Sequence, residues 1–196
     1  SSDLLGFYVT GHPIDEYVQV IETYQIDTLA GLQELGDQTG TRLGGIIAGV
    51  DVKRSKKDNR PWAIVTLEGL DGTTECLFFA DEYEVNAPLL VAEAPVFVEG
   101  FVSRREGGPA KVLAEKAIPI REAPERLARE VHIRLHQAST TRPKVEALRA
   151  ICEAHPGRTP LVLCLICATG DIAFVAPGKT AVCNSDAFRQ SVKDIF

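Results

Sequence analysis

A two-residue repeat that begins near Thr41 constrains the fold of this chain more than any other feature. Apolar residues recur at every second position from Ile46 to Val52, which is the period of a β-strand with one face in a core. Pro88 lies in a later segment, 81–92, that breaks this rhythm and predicts a short helix or irregular connection. Four more runs rich in β-branched and aromatic residues flank that segment, at positions 62–67, 73–79, 96–102 and 110–117.

Three strands, a helical connection and two further strands follow the order of an OB-fold, a small five-stranded β-barrel. We therefore predict a mixed α+β chain with a five-stranded OB-fold barrel at residues 41–120. A short helical segment at 1–40 precedes the barrel, and a small α/β domain at 121–196 follows it. In the lead-in, Gly11-His12-Pro13 ends any helix that begins near Asp3, because proline lacks an amide hydrogen and restricts the residue before it.

The last domain has its own alternation of strand-like and helix-like segments. The order predicts strand, helix, strand, strand and helix, with segments at 131–135, 143–154, 160–168, 171–175 and a terminal helix that reaches Phe196. Thr141 is a plausible N-cap of the first of these helices, and Ser185 of the second. This pattern gives a compact module with a modest core of its own.

Positive charge is concentrated in two loops of the predicted barrel. The formal net charge of the chain is -6, and residues 1–40 hold seven acids and no Lys or Arg. Five cations lie in or beside the loop between the first two strands, namely Lys53, Arg54, Lys56, Lys57 and Arg60. The only tryptophan of the chain, Trp62, follows them. The loop between the fourth and fifth strands has Arg104, Arg105 and Lys111.

These two loops flank the face on which OB-folds bind their ligands, the surface of the second and third strands. Cations for phosphates and an aromatic ring for base stacking are what a single-stranded nucleic acid requires. We therefore predict that these nine residues contact single-stranded DNA. For Trp62 the alternation leaves both an exposed and a buried position open, because its alternation partners Ile64 and Thr66 are mixed in character.

The remaining polar residues do not form a recognisable catalytic or metal-binding pattern. Cys164 and Cys167 have a CxxC spacing, but residues three apart on a strand point to opposite faces. His132 and His136 share a strand face without a third ligand at a matching spacing. We expect no cofactor, no metal and no catalysis by this stretch of chain.

Composition adds three expectations. The chain contains no methionine, which predicts a piece of a longer protein. Five cysteines without a framework spacing favour reduced thiols and hence a cytoplasmic location. The longest apolar run, Leu161 to Ala168, is too short for a membrane span, so we expect no membrane partner.

The lead-in carries a specific resemblance. The stretch from Leu5 to Ile14, LGFYVTGHPI, resembles a segment of the alpha subunit of bacterial DNA polymerase III, in which an LGxYxxGHP stretch precedes an OB-fold domain. Lys56-Lys57, followed by the run from Trp62 to Glu68, resembles the basic loop and second strand of that domain. Ala154-His155-Pro156-Gly157 resembles part of the C-terminal domain of the family.

The resemblance implies a non-catalytic C-terminal part of a polymerase III alpha subunit in DNA replication. Its OB domain would bind single-stranded template DNA, and its last domain would dock the tau subunit of the clamp loader. The rest of the polymerase holoenzyme, including the sliding clamp, would be the further partner. Two alternatives stay open: an interaction adaptor whose barrel does not bind DNA, and the same region of an error-prone alpha paralogue.

Overall fold

The computed structural model describes residues 11–175 and 177–196, and the chain divides into two compact units between Ala123 and Pro124. The helix predicted near Asp3 and most of the LGFYVTGHPI stretch lie outside the described residues. Within the described part, no helix is long and apolar enough to cross a membrane.

The first unit contains the predicted five-stranded barrel. Its strands close in the order β1-β2-β3-β5-β4, which confirms the OB-fold and the mixed α+β class. A helix, α2, lies between the third and fourth strands, as the broken rhythm predicted, and a 3-10 turn at Ala87–Leu89 follows it. The bounds of these elements are β1 Gly40–Arg54, β2 Pro61–Glu68, β3 Thr73–Phe78, α2 Ala80–Asn86, β4 Pro95–Ser103 and β5 Lys111–Pro119.

Alternation of side chains produces the barrel core. In β2, every second residue is fully buried, namely Ala63, Val65 and Leu67, so the residues between them face outward. The long first strand pairs with β4 through its first half and with β2 through its second half. The barrel closes where β3 and β5 run parallel, with Cys76 opposite Val112 and Leu77 opposite Leu113.

The described part of the lead-in packs onto this barrel. It forms a 3-10 turn at Pro13–Tyr17, helix α1 at Val18–Tyr24 and a second 3-10 turn at Gly31–Glu34. Leu29 and Leu32 are buried in the barrel core, and the amides of Leu29 and Ala30 each donate to the carboxylate of Asp71 at 3.1 Å. Residues 11–39 therefore belong to the same compact unit as the barrel, whereas the sequence predicted a boundary at residue 40.

The second unit has a sheet with helices on one face. Its helices and strands are α3 Ala123–Leu127, β6 Val131–His136, α4 Arg142–Ala154, β7 Pro156–Ile166, β8 Ile172–Val175, β9 Ala181–Val182 and α5 Asp186–Lys193. Strand β7 is central and pairs parallel with β6 and antiparallel with β8. The predicted order of strands and helices is present, with the two-residue strand β9 as an addition paired with the start of β7.

The two predicted helix caps had different outcomes. The Ser185 hydroxyl accepts from the amide of Phe188 at 3.2 Å, as predicted. Thr141 is the N-cap residue of α4, as predicted, and its carbonyl accepts from the amide of Val145 at 3.1 Å, but its side chain makes no capping hydrogen bond. An N-cap side chain bonds the second or third amide of its helix, and Pro143 at the second position removes one of these two donors.

Candidate nucleic-acid interface

The outward face of β2 and β3 is partly apolar. Ile64 lies opposite Leu77 and Thr66 lies opposite Glu75 in the ladder between these strands. All four residues are partly exposed. This arrangement follows from the two-residue period, because the alternate residues of both strands fill the barrel core.

An aromatic pair marks one end of this face. Trp62 is the second residue of β2 and is half-buried, while Phe79 follows β3 directly and exposes 47% of its surface. Their ring centroids are 5.7 Å apart with an interplanar angle of 42°. The structure therefore places Trp62 on the outer face of the barrel, in contact with Phe79, where a planar ligand can stack on the exposed part of the ring pair.

Two cavities meet at this aromatic pair. One, of about 580 Å³, lies beside the loop between β1 and β2, and its lining includes Lys53, Arg54, Ser55, Lys56, Asp58, Trp62 and Phe79. The other, of about 370 Å³, lies over the strands, and we call it the central cavity. Its lining includes Trp62, Ile64, Leu77, Phe79, Arg105, Pro109, Lys111 and Leu113. Because both rings line both cavities, the pair forms the shared wall between them.

A third cavity continues the same surface. It measures about 420 Å³ and shares Pro109 and Lys111 with the second cavity. Its other lining residues include Gln33 from the lead-in and Thr66 and Glu75 from the barrel face. The three cavities together form one groove along β2 and β3, which we call the barrel groove.

The loop between β1 and β2 is a hairpin held by its own backbone. The amide of Ser55 donates to the carbonyl of Arg60, and the amide of Asn59 donates to the carbonyl of Ser55, both at 2.9 Å. Asn59 has a φ of 58°, a left-handed conformation that asparagine tolerates better than most residues. The Arg54 guanidinium donates to the Asn59 carbonyl at 3.0 Å, so this cation also supports the hairpin.

The predicted cations differ in how far acidic residues already neutralise them. Arg60 bonds Asp81 at 2.7 Å and Glu84 at 3.2 Å, both on α2, and these contacts raise the pKa of its guanidinium, with the Asp81 hydrogen bond as the largest cause. Lys53 lies 3.4 Å from Asp51, and Lys111 pairs with Glu75.

Three predicted cations keep their charge available. Among the described residues, the side chains of Lys56, Lys57 and Arg105 make no hydrogen bond or ion pair, and all three residues are exposed. The adjacent carboxylate of Asp58 accepts from the Arg60 amide at 3.2 Å, and this bond is the largest cause that lowers the pKa of Asp58. The groove therefore has free positive charge at both loops and partly neutralised charge between them.

Arg104 is turned away from the groove. Its guanidinium Nε donates to the carbonyl of Leu35 at 2.8 Å, and Arg104 lines none of the three cavities. Arg105, the next residue, lines the central cavity. The two arginines were predicted together, but neighbouring residues in extended chain point to opposite sides, and the structure brings only Arg105 to the groove.

Comparisons with known proteins match both the barrel and the longer chain. Residues 42–120 match the family described as the OB-fold nucleic acid binding domain. A DNA polymerase III subunit alpha from Saccharopolyspora erythraea is 32% identical over 166 residues, which cover 81% of this chain and 14% of that protein. The DNA polymerase III subunit alpha from Mycobacterium tuberculosis is 29% identical over 197 residues, which cover 99% of this chain and 16% of that protein.

The chain is a relative of DNA polymerase III subunit alpha. It spans 14–16% of the length of these two curated relatives. The Mycobacterium tuberculosis alignment extends over nearly the whole chain and thus includes both compact units. Among solved structures, an asparaginyl-tRNA synthetase from Pyrococcus horikoshii shares 20% identity over 65% of this chain and 32% of that chain, with a TM-score of 0.37.

The sequence of this polymerase III alpha relative did not predict the apolar residues that line the groove. Phe79, Leu77 and Leu113 line the central cavity, although no charge or motif drew attention to them. The register accounts for the position of Phe79: the ladder pairs Ile64 with Leu77, so continuing the antiparallel register by two residues places Phe79 opposite Trp62. The sequence predicted both strands but not this register.

The second unit presents a sheet face that its own helices do not cover. Leu163 and Leu165 face the core with Ile133 and Leu135, so the alternate residues of these strands lie on the other face. On that face Ile172 and Phe174 expose 57% and 68% of their surfaces, whereas Cys164 on the central strand is buried. The strand registers place two histidines, an arginine and several apolar residues together on this face. We call it the open face, and it consists of His132, Arg134, His136, Val162, Cys164, Ile166, Ile172 and Phe174.

Within the open face, His132 has polar partners whereas its neighbours on β6 do not. Its Nε2 lies 2.9 Å from Glu130, and its Nδ1 lies 3.6 Å from the Cys164 sulfur. The side chains of Arg134 and His136 are exposed and have no hydrogen bond or ion pair in the described part of the chain. That same part holds no group of three His, Cys, Asp or Glu side chains arranged to bind a metal ion.

Proposed function

We propose that the first unit binds single-stranded DNA in the barrel groove, as a non-catalytic part of a polymerase III alpha subunit. The observation that carries this proposal is the contact of Trp62 with Phe79 between two cavities that basic loops border. Bases stack on exposed aromatic rings, and lysine or arginine side chains neutralise the phosphates. The chemistry of nucleotide transfer would be supplied by other parts of the polymerase, in the cytoplasm.

Groove geometry favours a single strand over a duplex. A base can reach the Trp62 and Phe79 rings only if it is unpaired and unstacked, because a duplex holds its base faces inside the stack. The strand would then pass from Lys56 at one loop, over the rings, to Arg105 at the other. Lys57 lines none of the three cavities but adds its charge beside Lys56 in the same exposed loop. The relationship to DNA polymerase III subunit alpha supports DNA as the nucleic acid.

Salt dependence of oligonucleotide binding tests this proposal. For a single strand, each phosphate neutralised contributes about 0.7 to the slope of log affinity against log salt. Lys56→Ala/Lys57→Ala should lower this slope by roughly 1.4, whereas Lys116→Ala/Lys179→Ala removes the same charge outside the groove and should leave it nearly unchanged. The measurement is fluorescence anisotropy of a labelled oligo-dT at several salt concentrations.

Absence of measurable binding at low salt would instead favour the adaptor alternative, in which the barrel contacts protein. The net charge of -6 is the observation that keeps this alternative open. Equal slopes for the two double variants would contradict the loop assignment while leaving DNA binding intact.

We further propose that the second unit docks the tau subunit of the clamp loader, in a holoenzyme that also includes the sliding clamp. The open face supports a protein partner, because exposed apolar surface beside unpaired positive charge is typical of an interaction site. Phe174 and Ile172 are exposed enough to be changed without loss of the core. Ile172→Ala/Phe174→Ala should weaken capture of purified tau, whereas Val145→Ala on α4, which is 45% exposed, should not. Equal capture by both variants would place the docking site elsewhere.

A further inference from the structure

The loop between β4 and β5, residues 104–110, is held at both ends by the lead-in. At its start, the amide of Arg104 donates to Oδ1 of Asp37 at 2.9 Å, and the Arg104 guanidinium donates to the Leu35 carbonyl at 2.8 Å. At its end, the amide of Ala110 donates to Oε1 of Gln33 at 3.0 Å, and Nε2 of Gln33 donates back to the Ala110 carbonyl at 3.4 Å. These four bonds join residues 33–37 to a loop far away in the sequence.

The lead-in segment is itself firmly anchored. Leu32 lies next to Gln33 and is fully buried in the barrel core. The amide of Gln38 donates to the Val102 carbonyl, and the amide of Val102 donates to the Thr39 carbonyl, both at 2.8 Å. Residues 33–37 are therefore anchored on both sides, by a buried side chain before them and a backbone pairing after them.

The held loop borders the central cavity. Arg105 and Pro109 both line that cavity, and they lie between the two attachment points. Inside the loop the amide of Gly108 donates to the Arg105 carbonyl at 3.0 Å, and Gly107 has a φ of 74°. A short glycine-containing turn has many accessible conformations, so attachment at both ends restricts where Arg105 can lie.

We propose that Gln33 and Asp37 are positioning residues for nucleic-acid binding, which fix the second basic loop over the barrel groove. This inference rests on the proposed function of that groove. Neither residue belongs to the segment 42–120 that matches the OB-fold family. Their role is to lower the conformational entropy that the loop loses when its arginine binds a phosphate, so that more of the contact energy appears as affinity.

The sign of the effect of Asp37 distinguishes this role from simple electrostatics. Asp37 is an exposed acid, and removing an acid near a phosphate-binding surface by itself strengthens binding. The positioning role gives the opposite result for alanine, because the acceptor for the Arg104 amide is lost. Asparagine removes the charge but keeps an oxygen acceptor of the same shape.

The experiment compares four variants of the 196-residue chain in binding to a labelled oligo-dT of roughly 12 nucleotides, within the range of OB-fold sites. Asp37→Ala and Gln33→Ala should each weaken binding by about three- to tenfold, the effect of one or two hydrogen bonds. Because Gln33 itself lines the third cavity whereas Asp37 lines none of the three, Asp37 gives the deciding comparison. Asp37→Asn should bind at least as tightly as the unmodified chain. Glu34→Gln, the matched control at an exposed neighbour without such contacts, should also bind at least as tightly.

Amide hydrogen exchange at residues 105–108 provides the second measurement. It should accelerate in Asp37→Ala and Gln33→Ala but not in Asp37→Asn, while thermal unfolding shows that each variant is folded. If Asp37→Ala binds as tightly as Asp37→Asn, the positioning role is overturned. Failure of the unmodified chain to bind would overturn the function of the groove instead, and Lys56→Ala/Lys57→Ala separates these cases by weakening binding whenever the groove is used.

Discussion

The ion-pair and hydrogen-bond partners of individual side chains decide which of the predicted cations are available to neutralise a phosphate. Lys56 and Lys57 are exposed and unpaired in the described structure, whereas Arg60 in the same loop already contacts two carboxylates. An arginine that has two acidic partners contributes little net field to a phosphate beyond them. At the scale of single residues, a count of cations therefore overstates the positive charge of this loop.

Release of Arg60 is the first prediction. Asp81→Asn/Glu84→Gln removes both carboxylates that face it and should steepen the salt dependence of oligo-dT binding by up to about 0.7. Glu16→Gln/Glu22→Gln makes the same change of net charge at exposed lead-in residues and should alter the slope much less. Anisotropy titrations at several salt concentrations provide the measurement, and equal slopes for the two variants would contradict the prediction.

A buried thiol in the barrel gives the second prediction. Burial is the main cause that raises the pKa of Cys76 from 9.0 to about 12. Above pH 9 the unfolded chain loses this proton while the folded chain keeps it, so stability falls as pH rises. Between these two pKa values the unfolding free energy should decrease by about 1.4 kcal/mol per pH unit from this group alone.

Cys76→Ala should lack this contribution to the pH slope, even though its overall stability is lower. Urea denaturation at several alkaline pH values measures both chains, and the difference between their slopes isolates the thiol from other groups. Equal pH slopes for the two chains would contradict the prediction, because they would mean that Cys76 loses its proton at the same pH in the folded and the unfolded state.

Trp62 shows what the sequence could not settle at this scale. Its neighbours Ile64 and Thr66 gave no clear sidedness, because an OB barrel can have apolar residues on its ligand face as well as in its core. The decisive information is the complete burial of Ala63, Val65 and Leu67, which depends on packing across the barrel.

At the scale of elements, the sequence predicted the five barrel strands and the helix between the third and fourth. Those segments have strong local signals, namely a two-residue period and a proline-containing break. The bonds between the lead-in and residues 104–110 had no such signal, because they join Gln33 and Asp37 to backbone groups distant in the sequence. Local patterns identify elements, but they do not identify which backbone groups a polar side chain will meet.

Gly100 provides a prediction about strand pairing. It lies in β4 at a register irregularity with β5, and a Cβ there would be 2.9 Å from the Cα of Ala114. Gly100→Ala should therefore force the two backbones apart and lower the unfolding free energy by roughly 2 kcal/mol or more. Gly49→Ala, in β1 with nothing within 4 Å of the added carbon, should be tolerated, and chemical denaturation compares the two. Similar losses in both variants would contradict the steric argument.

At the scale of the whole molecule, every residue of the barrel groove belongs to the first compact unit. A fragment of residues 1–123 should accordingly bind oligo-dT with the affinity and salt slope of the full chain. Residues 124–196 alone should bind tau but show no comparable affinity for the oligonucleotide. Circular dichroism confirms folding of each fragment before titration. A large loss of affinity in the first fragment would mean that the second unit contributes to DNA binding.

The parallel pairing of β3 with β5 closes the barrel, and residues on both of these strands line the central cavity. This seam has two paired positions, Cys76 with Val112 and Leu77 with Leu113, and it joins strands distant along the chain, so its closure costs more chain entropy than that of a local hairpin. The floor of the central cavity includes Leu77 on one side of the seam and Leu113 on the other. An oligonucleotide bound there as proposed would contact both sides of the pairing that has the fewest paired positions in the barrel. Because it would bind only the closed barrel, it would stabilise that form against opening.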